Sequence, residues 1–238
     1  MPRHNRSWLV VPMSKPGQIA QPAPCKADVI VLDLAEFVRD RDRPAAREQA
    51  RSVFSTAIAT GAQVFAQISP QALDADLTAC VWPGLTGVVV SRAESAAQIS
   101  AADEKLGELE ATRALSPGAI EIVAAVETAR GNSDAYDIAR ASRRVSGITL
   151  GRADLVMDLR AEPSNEFHLM QYLMQRLIII ARAAGVMPIG AWWRAPDRGL
   201  LATPTNTYEA ARRGRAIGFK GAMCLRADQV EPLNRAYS

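Results

Sequence analysis

The sequence predicts an eight-stranded parallel (β/α)₈ TIM barrel, a single domain over residues 1–238 with residues 1–5 as a disordered start. Three observations lead there. Eight short apolar runs have the length and composition of buried parallel strands, and segments of helical character separate nearly all of them. The chain has 238 residues and 48% hydrophobic content, enough to bury a full core, and barrels of about 200 to 250 residues often form one domain. No Gly-x-Gly-x-x-Gly follows the first run and no Gly-x-x-x-x-Gly-Lys occurs, so the usual signs of a dinucleotide or P-loop fold are missing.

In chain order, strands are expected at Ser7–Pro12, Asp28–Leu34, Gln63–Ser69, Gly87–Ser91, Ile120–Val126, Ser146–Gly151, Pro188–Trp192 and Gly221–Leu225. Pro16 and Pro24, with Pro22 between them, leave room only for a short first helix. Later helices are expected over Ala45–Thr60, Pro70–Val81, Glu94–Leu109, Arg130–Ala141, Glu166–Ala184 and Tyr208–Ile217, with a short closing helix over Asp228–Arg235. A barrel of this kind builds its chemistry at the carboxyl ends of its strands. That rim would include Met13, Ala35, Glu36, Gln67, Arg92, Glu127, Asp154, Gly190 and Arg226.

Two of these positions are acids that end consecutive apolar runs. Ile120 to Val126 stops at Glu127, and Val145 to Gly151 is followed by Asp154. Neighbouring parallel strands lie about 4.8 Å apart, so carboxylates at their ends can converge on one ion. A hard divalent cation, Mg²⁺ or Mn²⁺, prefers oxygen ligands and typically takes one or two protein carboxylates. The competing role for Glu127 and Asp154 is electrostatic, since carboxylates near helix N-termini complement the macrodipole.

Composition removes several function classes. The net charge is +3 with a pI near 8.9, and the basic excess is mostly arginine. The densest basic spots, Arg143-Arg144 and Arg212-Arg213 with Arg215, read as solvated helix faces. They lack the aromatic interleaving of a nucleic-acid surface, so no nucleic-acid partner is expected. Cys25, Cys80 and Cys224 are an odd, scattered set without metal-ligand spacing and read as reduced thiols. The start lacks a secretory apolar segment, and Leu173 to Ala184 is too short to span a bilayer and carries Arg176 and Arg182. No membrane association and a cytoplasmic location are expected. His4 and His168 are the only histidines, which argues against a zinc set or a Ser-His-Asp triad. Trp192-Trp193 is a candidate pocket floor, with core packing the competing role for the buried ring.

Several motifs occur together in a recognisable order: Arg6-Ser7-x-Leu9-x-x-Pro12, Ala27-Asp28-x-x-x-Leu32-Asp33-Leu34, Glu127-Thr128-Ala129-Arg130-Gly131, Leu150-Gly151-x-x-Asp154-Leu155, Ala183-Ala184-Gly185, and Gly218-Phe219-x-Gly221 followed by Gln229-Val230. In this order and spacing the chain resembles the citrate lyase β-chain-like branch of the HpcH/HpaI aldolase family. The resemblance implies a Mg²⁺-dependent carbon–carbon lyase on a TIM barrel. Its substrate would be a β-hydroxyacyl-CoA thioester of the citryl-, citramalyl- or malyl-CoA kind, or a related small keto or hydroxy acid. It also implies Glu127 and Asp154 as metal ligands and a homo-oligomer, a trimer or a multiple of one. A metal held there would stabilise a developing enolate as a Lewis acid.

The rim departs from the family pattern at several places. Where the family reads Leu-Asp-Leu-Glu-Asp-Ala-Val this chain has Leu32-Asp33-Leu34-Ala35-Glu36-Phe37-Val38, and Arg-Val-Asn becomes Gln67-Ile68-Ser69. Exchanging a guanidinium for an amide removes a charge-assisted contact to a carboxylate. Pro-Lys becomes Ser91-Arg92, Ile-Asp becomes Ile189-Gly190, and Ile-His-Pro becomes Leu225-Arg226-Ala227. Gln67, Arg92 and Arg130 are the candidate substrate contacts, with an ordinary first-turn arginine as the other reading of Arg130. Asp33 is read as a buried partner for a basic rim residue, and Glu36 as pointing elsewhere on the rim. The replacements leave two functional expectations: a lyase with a changed substrate, or a catalytically impaired barrel that serves as a binding or regulatory subunit.

Overall fold

The computed structural model describes residues 5–15, 17, 26–160, 166–191 and 203–238. Its eight strands are β1 (Ser7–Pro12), β2 (Val29–Asp33), β3 (Gln63–Ile68), β4 (Gly87–Val90), β5 (Glu121–Val126), β6 (Val145–Leu150), β7 (Met187–Ala191) and β8 (Gly221–Cys224). They pair in parallel in sequence order, and β8 closes onto β1. The described helices are α1 (Arg43–Ile58), α2 (Leu73–Cys80), α3 (Ala96–Thr112), α4 (Ala129–Ser133), α5 (Ala135–Arg140), α6 (Arg152–Asp158), α7 (Glu166–Ala184), α8 (Pro204–Ile217) and α9 (Val230–Tyr237). The architecture is the (β/α)₈ barrel that the sequence predicts. None of the described helices is long and apolar enough to cross a membrane.

Strand alternation divides the core in two. Trp8, Val10, Val29, Val31, Phe65, Val89, Val123, Ala125, Ile189 and Met223 fill the barrel interior. The intervening residues, such as Leu9, Ile30, Leu32, Val64, Val88 and Ile122, face outward and pack with Leu77, Ile99, Leu106, Ile138 and Leu177 from the helices. Side chains therefore fill the barrel below its mouth, with the Trp8 and Phe65 rings 4.8 Å apart between centroids. Buried polar groups pin the helical shell outside it. Glu110 of α3 is 1% exposed and accepts hydrogen bonds from Arg144 Nη1 and Nη2, both at 2.7 Å, and from the N–H groups of Gly118 and Ile120.

Several element boundaries differ from expectation for local reasons. The helix expected over 130–141 is two short helices that meet at Asp134, whose φ of −93° and ψ of 7° leave helical geometry. Helix α8 starts at Pro204 rather than Tyr208, because Thr203 caps it by accepting from the Asn206 N–H and proline takes the first helical position. Helix α6 was not expected; its start at Gly151 has no side-chain cap to announce it. Strand β7 ends at Ala191, so the Trp192-Trp193 expectation lies outside the described residues, as do Cys25, His4, the His168 side chain and, apart from Gly17, the short helix between Pro16 and Pro24. Asn5 is part of the fold: its carbonyl accepts from Trp8 Nε1 and its side chain from Gln63 Nε2.

Candidate metal centre

At the mouth of the barrel the carboxyl groups of Glu36, Glu127 and Asp154 each place an oxygen within 4.8 Å of the other two. Three separate segments bring them there. Glu127 follows the last residue of β5 and is 5% exposed. Its Oε2 accepts a 2.7 Å hydrogen bond from the Arg92 N–H. Arg92 reaches that geometry with φ at 45°, a left-handed conformation that costs a non-glycine residue roughly 1 to 3 kcal/mol. Asp154 is half-buried in the first turn of α6.

Glu36 is the unexpected member. Asp33, the last residue of β2, is fully buried, and its carboxylate accepts from the N–H groups of Ala35 and Glu36 at 3.0 and 2.9 Å and of Phe37 at 2.7 Å. Three amides wrapped round one carboxylate curl the chain as it leaves the strand. This local nest decides where Glu36 points, so strand parity, which would aim it elsewhere, does not apply. Asp33 thus serves three backbone amides, with the Arg43 guanidinium near enough to act on its charge. Burial pushes its carboxyl above the ordinary range, against the three amides and the Arg43 guanidinium, which pull it down.

The electrostatics of the cluster suit a cation. Burial, then the nearby Glu36 and Asp154 charges, hold the Glu127 carboxyl well above its ordinary range, although the Arg92 amide pulls the other way. Burial and the Asp154 charge also raise Glu36, which shares a hydrogen bond with Glu127. Three acidic oxygens that repel one another in a partly dry site form a donor set for a hard divalent ion. Mg²⁺ or Mn²⁺ fits it.

Glycine makes room for this arrangement twice. A Cβ at position 151 would lie 2.4 Å from Glu127 Cγ and 2.8 Å from Oε1. A Cβ at position 131 would lie 2.3 Å from the Ala93 carbonyl oxygen, and the Thr128 hydroxyl caps α4 by accepting from the Gly131 N–H. The Glu-Thr-Ala-Arg-Gly motif therefore combines a site carboxylate, a helix cap and a close backbone approach. Across the mouth, the Asp158 carboxylate accepts from the Ala129 N–H at 2.7 Å, tying α6 to the start of α4.

A shallow depression opens beside the acids, lined by Val10, Glu36, Phe37, Gln67, Val89, Ala125, Glu127, Thr149, Leu150, Gly151 and Met223. Gln67 lies in it as expected, 5% exposed, and its Nε2 donates to Ser91 Oγ at 2.9 Å. Arg92 lies at the edge with an exposed side chain near enough to Glu36 to lower its carboxyl. Arg130 is exposed on α4 and does not line the depression. Gly190 is inside β7 beside inward-facing Ile189, so its position faces the helical shell, and Met13 is wholly buried in that shell. Arg226 donates through Nε to Asp228 in its own loop at 2.9 Å. Sequence reasoning missed Thr149, which is 3% exposed, lines the depression and has no partner for its hydroxyl. Counting back two residues from Gly151 along β6 would have found it.

With this geometry in view, comparison with known proteins gives a consistent result. The sequence model of the HpcH/HpaI aldolase/citrate lyase family matches residues 6–227. The chain is 28% identical over 236 residues to a citrate lyase subunit beta-like protein of Mycobacterium tuberculosis, covering 97% of this chain and 78% of that protein. It is 27% identical over 240 residues to a (3S)-malyl-CoA thioesterase of Cereibacter sphaeroides, covering 98% and 77%. The M. tuberculosis citrate lyase beta subunit solved with oxaloacetate and magnesium superposes with a TM-score of 0.72 at 25% identity, covering 98% of this chain and 97% of that one.

Proposed function

The chain belongs to the HpcH/HpaI aldolase/citrate lyase family, and from that premise we propose that it is a Mg²⁺-dependent carbon–carbon lyase. Its substrate would be a β-hydroxyacyl-CoA thioester or a related small keto or hydroxy acid. The observation that carries this reading is the convergence of Glu36, Glu127 and Asp154 at one point of the barrel mouth. Glu127 and Asp154 are the ligands that the family motifs suggest, and Glu36 joins them by geometry. Magnesium in the related M. tuberculosis structure supports the choice of ion.

Each part of the mouth has a role in this reading. Glu36, Glu127 and Asp154 hold the metal, which when bound supplies Lewis-acid polarisation of a chelating substrate oxygen. The Arg92 amide fixes the Glu127 carboxylate and the Asp33 nest fixes the segment that carries Glu36. Val10, Val89, Ala125 and Met223 give the depression apolar walls that limit water around the substrate. Gln67 and Thr149 offer neutral hydrogen-bonding groups to the part of the substrate not held at the acids. The Arg226 side chain, engaged by Asp228, favours the second reading, a barrel that binds without turnover.

The test has two arms. Calorimetric titration with Mn²⁺ should give a binding heat for the wild type that disappears in Glu127→Ala; equal binding by both proteins would end the metal-site assignment. Incubation of the Mg²⁺-loaded protein with malyl-, citramalyl- and citryl-CoA, following acetyl-CoA release, should reach the ordinary enzyme range of about 1 to 10³ s⁻¹ on one of them. Intact metal binding without turnover on any of them would favour the binding subunit.

A further inference from the structure

Arg43 holds an arrangement that helix packing does not require. It is the first residue of α1, at the helix end where the macrodipole disfavours a positive charge. Its Nε is buried and has no hydrogen-bond partner among the described residues, a cost that native structures seldom carry. The ion pair with Asp40, 3.2 Å from Nη2, does not explain the position: the Asp40 side chain is 92% exposed, and exposed pairs contribute little. The informative contact is to the backbone. Arg43 Nη2 donates to the Ala35 carbonyl at 2.8 Å, in the loop that carries Glu36.

That carbonyl belongs to the peptide unit between Ala35 and Glu36. The N–H of the same unit donates to Asp33 Oδ1 at 2.9 Å. A trans peptide unit is planar, with its C=O and N–H pointing in opposite directions, so Asp33 and Arg43 grip one plate from two sides. The next unit is held through the Phe37 N–H, which donates to Asp33 Oδ2 at 2.7 Å. The Glu36 Cα therefore lies between two held plates, which fix the direction of its Cα–Cβ bond. Three amides on one carboxylate gather the loop but leave it free to rock about that carboxylate; the grip on the carbonyl removes this freedom. The grip is itself anchored, because Ala46, Ala50, Val53 and Phe54 bury α1 in the core of the helical shell. The guanidinium also acts on the Asp33 charge, so the two anchors support each other.

We infer that Arg43 is a positioning residue for Glu36: through the Ala35 carbonyl it couples the start of α1 to the third carboxylate of the metal centre. This rests on the metal reading above and adds to it a residue that does not line the depression.

The Mn²⁺ affinity of the full chain tests it, read by calorimetry and, for weak binders, by the electron paramagnetic resonance of free Mn²⁺. Arg43→Met keeps the apolar stem and removes the donors and the charge; Arg43→Ala is made beside it, so that one folded variant suffices. Removing groups that orient ligands typically costs about 10- to 100-fold in metal affinity. Arg43 holds only the backbone of a ligand, with Asp33 still in place, so the loss should be about three- to tenfold. Arg43→Lys, which can still donate to the carbonyl, should recover most of it, and Asp40→Ala should bind as wild type does. A double-mutant cycle separates positioning from general support of the fold. In Glu36→Ala, where Glu127 and Asp154 still offer the carboxylates that such an ion needs, adding Arg43→Met should change the affinity by less than about twofold. Wild-type affinity in the folded Arg43 variants, an equal loss in Asp40→Ala, or the same loss in the Glu36→Ala background would each overturn the inference and leave the metal reading in place. Absence of Mn²⁺ binding in the wild type would overturn both.

Discussion

Replacing Gly151 by alanine isolates the steric device that seats Glu127. The added Cβ would lie 2.4 Å from Glu127 Cγ, 2.8 Å from Oε1 and 3.0 Å from Cδ, whereas non-bonded carbons settle at about 3.5 to 4.0 Å. Gly151 has φ −78°, which alanine tolerates, so backbone strain adds nothing and the clash is the whole effect. Glu127 Cγ must retreat by about 1 Å, and its carboxylate is tethered at 2.7 Å to the Arg92 N–H. Relief therefore breaks that hydrogen bond and moves one of three ligands. Overpacking of this kind costs about 1 to 3 kcal/mol. Displacing a group that orients a ligand typically costs 10- to 100-fold in metal affinity, and a shifted ligand should cost at least as much. Urea denaturation reads the first quantity and Mn²⁺ calorimetry the second. A Gly151→Ala protein with wild-type stability and wild-type Mn²⁺ affinity would refute the reasoning, because it would mean that Glu127 is free to move without consequence.

Two other substitutions test how the fold holds the site and itself. Asp33→Ala removes the acceptor of three amide hydrogen bonds; Mn²⁺ affinity should fall although Asp33 is no ligand, and Asp33→Asn, which retains one acceptor oxygen, should lose less. Unchanged calorimetry in Asp33→Ala would show that the nest does not place Glu36. Arg144→Ala leaves the buried Glu110 carboxylate without its guanidinium, a loss of about 3 to 5 kcal/mol. Burial pushes Glu110 up, but the Arg144 hydrogen bonds and two backbone amides outweigh it and hold the carboxyl below its ordinary value of 4.5. A depressed carboxyl contributes stability above the unfolded value and loses it as pH falls through the folded one. The stability gap between wild type and Arg144→Ala should therefore be full at neutral pH and narrow below about pH 4.5; urea melts that show a constant gap would contradict the ion-pair origin.

The elements that the sequence revealed are those whose signal is local. Each of the eight strands is an apolar run with turn or helix residues beside it, and barrel closure follows from alternating strands and helices. Glu127 and Asp154 were visible because they end such runs. Glu36 was not, because its direction is set by Asp33 through three amides, and no periodicity applies past the end of a strand. Helix α6 spans only Arg152–Asp158, too short for a periodic pattern to stand out. Thr149 was hidden for a different reason: a threonine in a strand is unremarkable until the neighbours of its hydroxyl are known.

The mouth of this barrel brings together features that packing alone would select against. Burial raises two carboxyls that face each other and a third acid. Arg92 holds a left-handed backbone to offer its N–H to one of them, and position 151 gives up a side chain to make room for it. Thr149 keeps a buried hydroxyl without a partner. Each feature costs stability by a different mechanism, and their costs fall within one depression. Local violations of folding rules concentrate where function requires them. A divalent cation held by the three acids would remove the repulsion among them. Mn²⁺ should therefore raise the melting temperature of the wild type by mass action, and a melt of Glu127→Ala that shows the same rise would place the ion elsewhere.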